Sequence, residues 1–85
     1  MKPVTMYTKA LCPYCARAAR LLKEKGADVT DIPAAFDREK KAEMVQRSGG
    51  RTTFPQIFVG DRHVGGCDDL YALEQAGRLD ALLAD

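Results

Sequence analysis

The sequence predicts an α/β fold in the order β-α-β-α-β-β-α, a four-stranded mixed sheet with helices on its faces. Three observations predict it. The chain opens with a strand, a helix and a second strand, a βαβ succession that makes those two strands parallel. A turn at Gly60-Asp61 joins two extended segments as an antiparallel pair. Gly26 and the run Ser48-Gly49-Gly50 stand where helices must stop.

Each element has its own signal. Val4, Met6 and Tyr7 mark a strand over about 3–8 that ends at the polar Thr8-Lys9. Pro13 stands where a first helical turn tolerates proline, and Ala16 to Lys25 is rich in helix formers. Ala18, Leu21, Leu22 and Ala19 supply its inward stripe, with Arg17, Arg20, Lys23 and Glu24 in water. Val29 and Ile32 mark a second strand over about 28–32, closed by Pro33. Asp37 caps a helix that runs to Arg47, with Ala42, Met44 and Val45 inward. Phe54 to Val59 is a strand, paired antiparallel with Arg62-His63-Val64. Gly65-Gly66 forms a flexible hinge before a third helix, Asp68 to Ala76, inward at Leu70, Leu73 and Ala76. Leu79, Leu82 and Leu83 make a short final turn.

The 85 residues suffice for one domain, 1–85, and leave no room for a second core. With 46% hydrophobic and 29% charged residues the composition is that of a soluble globular chain. No apolar run approaches the roughly 20 residues of a membrane helix. Met1 to Tyr7 alternates too strictly for an export signal, so a cytoplasmic location is the default expectation. A net charge of +1 argues against nucleic acid as the partner. The charge is nevertheless polarised. Lys2, Lys9, Arg17, Arg20, Lys23 and Lys25 cluster in the first 25 residues, and Asp61, Asp68, Asp69, Glu74, Asp80 and Asp85 in the last 25. Such polarity either orients a charged partner or consists of solvated helix faces.

Two of the three cysteines form Cys12-Pro13-Tyr14-Cys15, and the odd count does not suit an extracellular disulfide scaffold. A helix N-terminus presents unpaired N–H groups and the positive end of the helix dipole, which favour thiolate over thiol at the first cysteine. Lys9 adds a cation, so Cys12 reads as the nucleophile. Cys15, one turn into the helix and more covered by it, suits the resolving role, attacking a mixed disulfide formed at Cys12. Pro13 and Tyr14 shield the pair, and Tyr14 offers a ring and a hydroxyl to a bound partner. The competing chemistry is metal binding. Cys12, Cys15, His63 and Cys67 are possible zinc ligands, but structural zinc pairs usually occupy tight turns rather than opening a long helix. No metal site is therefore expected.

Two further segments bear on a substrate. Either Pro55 only opens a strand, or the Phe54–Pro55 bond is cis and turns the N–H and C=O of Phe54 outward toward an extended peptide. Gly65-Gly66-Cys67-Asp68-Asp69 places glycines and acidic residues at a helix start. Its N–H groups suit a carboxylate and its aspartates suit an ammonium, or the aspartates are ordinary caps. Cys67 is most simply a small buried apolar residue, or else a peripheral thiol open to glutathionylation.

In order and spacing these motifs resemble the glutaredoxin family, in particular its small bacterial dithiol type. The resemblance rests on Tyr7-Thr8-Lys9, Cys12-Pro13-Tyr14-Cys15, Arg51 to Phe58 and Gly65 to Leu70, and it spans nearly the whole chain. It implies a thioredoxin-like fold, glutathione as reductant and no permanently bound cofactor. It implies a cis Pro55 and glutathione held by Lys9, Tyr14, Thr53, Phe54, Pro55, Gly66, Cys67 and Asp68, with Arg51 or Gln46 as helpers. It further implies a monomer acting on glutathionylated or disulfide-bearing proteins, ribonucleotide reductase among them. Phe54 departs from the family's usual valine before the proline, and its larger ring narrows the groove. The alternatives are a redoxin fed by thioredoxin reductase, and an iron–sulfur or zinc carrier using Cys12. Pro13 resembles the redox members more than the carriers.

Overall fold

The computed structural model describes residues Met1–Asp85. The elements are β1 (Val4–Thr8), α1 (Pro13–Glu24), β2 (Val29–Pro33), α2 (Arg38–Arg47), β3 (Gln56–Val59), β4 (Arg62–Gly65), α3 (Cys67–Gln75) and α4 (Leu79–Leu83). One four-stranded sheet has the order β2-β1-β3-β4. β1 runs parallel to β2, with Val4 opposite Val29 and Met6 opposite Asp31. It runs antiparallel to β3, which pairs antiparallel with β4. The βαβ unit and the hairpin are thus both present, and this is the thioredoxin-like architecture.

Alternation along the strands sends side chains to two cores. Val4 and Met6 of β1 meet Ile57 and Val59 of β3 beneath Ala18, Leu21 and Leu22 of α1, with Leu70, Leu79 and Leu83 closing the cluster. On the opposite face Tyr7 and Phe58 pack against Ala34 and Met44 of α2. Burying each leucine of the first cluster contributes about 1.5–3 kcal/mol. Tyr7 also carries a polar load: its hydroxyl donates to Glu43 and accepts from Arg47 Nη1 at 2.9 Å.

Several boundaries differ from the sequence reading. Ala42 is exposed, not inward. At 100° per residue it stands about 200° from Met44, the one fully buried residue of α2. Ala76 is also exposed, because α3 ends at Gln75 and Ala76 is its C-cap. β3 begins at Gln56, leaving Phe54 and Pro55 outside the ladder. Asp37 caps α2 as expected, its Oδ1 accepting the Lys40 N–H at 3.1 Å.

Part of the charge polarity is consumed internally. Lys25 Nζ meets Glu74 at 2.8 Å and Asp80 at 2.9 Å, and the Arg17 guanidinium lies 5.0 Å from the Tyr71 ring centroid. These contacts tie α1 to the C-terminal helices. No helix is long and apolar enough to cross a membrane.

Gly65-Gly66 is a fixed junction rather than a hinge. Gly65 sits in β4 at φ 118°, and the Gly66 N–H donates to Asp69 Oδ2 at 2.9 Å, capping α3. A Cβ on Gly65 would run into the Asp69 carboxylate. Gly65→Ala is expected to lower unfolding free energy by about 1–3 kcal/mol, through left-handed strain and loss of the Asp69 cap. A urea titration against wild type measures it; an unchanged midpoint would show that the junction adjusts freely.

Candidate active site

Cys12 is the N-cap of α1. Its backbone is extended (φ −103°, ψ 107°), Pro13 follows at the first helical position, and Cys12 Sγ accepts the Cys15 N–H at 3.2 Å. The sulfur thus does what a serine or aspartate oxygen does at other helix starts, and the backbone donor favours negative charge on it. Leu11, just before it, is left-handed at φ 55° with a fully exposed side chain.

As whole residues the two cysteines are almost equally covered, Cys15 at 7% exposed and Cys12 at 8%. Their surroundings distinguish them instead. Burial, and then the hydrogen bond with Cys12, push the Cys15 thiol up to about 12. Cys15 therefore holds its proton at neutral pH. All three cysteines are free thiols.

Two grooves flank the pair. The first, of ≈ 530 Å³, reaches both cysteines and includes Lys9, Leu11 and Pro13 in its wall. The second, of ≈ 330 Å³, is formed by Tyr14, Arg51, Thr53, Gly66, Cys67, Asp68 and Asp69. Five residues singled out in the sequence (Tyr14, Thr53, Gly66, Cys67 and Asp68) thus converge on one cleft, joined by Arg51. Lys9 belongs to the other groove, and Gln46 lies on the outer surface of α2 with Arg38 and Lys41.

The Phe54–Pro55 bond is cis. Neither the N–H nor the C=O of Phe54 has a hydrogen-bond partner within the chain, so both remain open to a ligand. Behind this segment lies a network that sequence reasoning missed. Buried Gln56 donates from Nε2 to Thr53 O at 3.0 Å and Thr53 Oγ1 at 3.1 Å, while His63 Nε2 donates to Gln56 Oε1 at 2.7 Å. These bonds fix Thr53 at the cleft wall. They also occupy His63, and no three metal-ligating side chains come together anywhere in the chain. Of the two aspartates that suit an ammonium or a cap, Asp69 is the capping residue, with Arg51 Nη2 3.7 Å away, and Asp68 lines the cleft without a partner in the chain. The Gly66-x-x-Asp69 spacing was the available signal. Cys67 is buried in the main core and borders the cleft as well, and burial pushes its thiol up.

A cysteine pair opening a helix on a four-stranded mixed sheet, with one sulfur capped and the other protonated, defines the class of thiol–disulfide oxidoreductases. The glutaredoxin family model matches residues 4–64. The chain is 55% identical over 84 residues to a glutaredoxin of Pseudomonas aeruginosa, covering 99% of each chain. It is 53% identical over 83 residues to glutaredoxin 3 of Escherichia coli, covering 98% of this chain and 99% of that one. The solution structure of Brucella melitensis glutaredoxin is similar at TM-score 0.83 and 60% identity, covering 98% of this chain and 89% of that one. A buckwheat glutaredoxin–glutathione complex is similar at TM-score 0.84 and 29% identity, covering 96% and 76%. The chain belongs to the glutaredoxin family. Its function is that of a glutathione-dependent thiol–disulfide oxidoreductase.

Burial, reinforced by the Arg51 charge and opposed by Asp69, lowers the His63 pKa below its ordinary 6.5. The unfolded chain takes up this proton near pH ~6.5, while the folded chain resists it. The stability linked to neutral His63 is fully present above about 6.5 and is lost as pH falls through the lower folded value. Urea midpoints at pH 7.5 and pH 5.5 should therefore differ more for wild type than for His63→Gln. Equal differences would remove His63 from the acid response.

Proposed function

We propose that Cys12 is the nucleophile, Cys15 the resolving thiol, and the cleft between Tyr14 and Gly66–Asp69 the seat of glutathione. The observation that carries this is the convergence of Tyr14, Thr53, Arg51 and the N-terminus of α3 on one cleft beside the first turn of α1. The open N–H and C=O of Phe54 would hold the cysteine of glutathione, with Pro55 shaping that turn. Gly66, Cys67 and the Asp68 carboxylate would take the γ-glutamyl end, with its carboxylate at the start of α3 and its ammonium at Asp68. Arg51, inside the cleft, is better placed for the glycine carboxylate than Lys9 on the other side of the cysteines. The buckwheat relative solved with glutathione supports glutathione as the ligand.

The reaction then has two branches. On a glutathionylated protein, Cys12 thiolate attacks the glutathione sulfur and the protein thiol leaves. A second glutathione attacks Cys12–S–S–glutathione, releasing glutathione disulfide without Cys15. On a protein disulfide, Cys12 forms a mixed disulfide, Cys15 displaces the client by closing Cys12–Cys15, and two glutathiones reopen it. Fully exposed Leu11 and Phe36, with half-exposed Tyr14, offer apolar contact to a protein client. We read residues 1–85 as one cytoplasmic glutaredoxin domain acting as a monomer without a resident cofactor, and a ribonucleotide reductase disulfide as a fitting client.

Cys12→Ser is expected to lower reduction of a small glutathione mixed disulfide by at least about a thousandfold, while Cys15→Ser keeps most of that activity and loses protein-disulfide turnover. A glutathione-reductase-coupled assay measures both. Equal loss in the two variants would contradict the one-cysteine branch, and full turnover with thioredoxin reductase alone would contradict glutathione as reductant.

A further inference from the structure

The two-cysteine branch demands that a thiol holding its proton become a nucleophile, and the groove on the side away from the glutathione cleft contains a group that meets the demand. Residues 4, 6 and 8 of β1 share the sheet face covered by α1, as do residues 29 and 31 of β2. Asp31, on the edge strand β2, therefore lies on the same side of the sheet as Cys15. Both line the ≈ 530 Å³ groove, together with Thr8, Ala16 and Ala19. The Thr8 hydroxyl donates to Asp31 Oδ1 at 2.5 Å and fixes the carboxylate. Asp31 Oδ2 has no hydrogen-bond or ion-pair partner within the chain. Lys9 is the groove's other charged residue, and it pairs with no acid. The negative charge of Asp31 is felt at Cys15.

Resting on the two-cysteine branch proposed above, we propose that Asp31, oriented by Thr8, accepts the Cys15 proton through groove water as Cys15 resolves the mixed disulfide at Cys12. The proton passes from Cys15 Sγ to the carboxylate, and the Cys15 sulfur attacks Cys12 Sγ. The Cys12–client S–S bond breaks as Cys12–Cys15 forms, and the electron pair leaves on the client thiolate. Asp31 then returns the proton to water or to the departing thiolate. No external oxidant or reductant enters the step. The step asks nothing of this kind at Cys12, whose sulfur is already held by the Cys15 N–H.

The test uses stopped-flow absorbance with the reduced protein and one equivalent of dithiobis-nitrobenzoate. Attack by Cys12 releases the first coloured thiolate, and closure by Cys15 releases the second. Asp31→Asn is expected to slow the second phase at pH 7 by at least about tenfold and leave the first unchanged. The second phase of the variant should rise about tenfold per pH unit from pH 6 to 9, following the Cys15 thiolate fraction, while wild type stays flatter. Thr8→Val should slow the same phase more mildly, and Asp31→Asn should have no effect on glutathione mixed-disulfide turnover in a Cys15→Ser background. An unchanged second phase in Asp31→Asn, or equal slowing of both phases, would overturn the proposal. Absence of any second phase in wild type would instead overturn the two-cysteine branch.

Discussion

One contact organises the molecule: the sulfur of Cys12 caps its own helix. A helix start leaves N–H groups that need acceptors, and here the acceptor is the sulfur we propose as the nucleophile. The bond from the Cys15 N–H to Cys12 Sγ satisfies the backbone and stabilises charge on sulfur together. Because the same turn buries Cys15, whose thiol is raised, one structural feature sets two chemically similar side chains in different surroundings. The two cysteines are nearly equally exposed as residues, and what marks Cys15 is first the desolvation of its thiol and then its hydrogen bond with Cys12.

That cap works only if the helix start is held against something rigid. β1 delivers the chain to Leu11 and Cys12 from the centre of the sheet, and Leu21 and Leu22 anchor the far end of α1 on the main core. The Phe54–Pro55 segment reaches the same end of the sheet from β3, fixed from behind by Gln56 and His63. The Asp69 cap sets the start of α3 opposite Tyr14. Three chain segments thus meet at one end of the sheet, and the two grooves are the spaces they leave on either side of the cysteines.

Much of this was legible in the sequence because it depended on local rules. Gly26 at φ 75° and Asp37 as a cap ended and began helices where their chemistry requires, and the Gly60-Asp61 turn fixed the hairpin. Tyr14, Gly66, Cys67 and Asp68 are legible from local chemistry and Thr53 through a family pattern, and the fold brings them together. What local reading could not supply was side-chain pairing across long sequence separations. Thr8 with Asp31, Tyr7 with Glu43 and Arg47, and His63 with Gln56 all depend on strand register, and no periodicity announces them. The error at Ala42 had a different origin, since small apolar residues fit either helix face and only the partner layer decides, while Ala76 lies just past the end of α3 as its C-cap.

The account stands on Cys12 alone being the reactive thiol of the reduced protein. Alkylation of the reduced protein at pH 7 with limiting iodoacetamide, followed by peptide mass mapping, tests this directly. The label should fall on Cys12, with Cys15 and Cys67 modified only after denaturation. Labelling of Cys15 or Cys67 in the native protein at a rate comparable to Cys12 would contradict it.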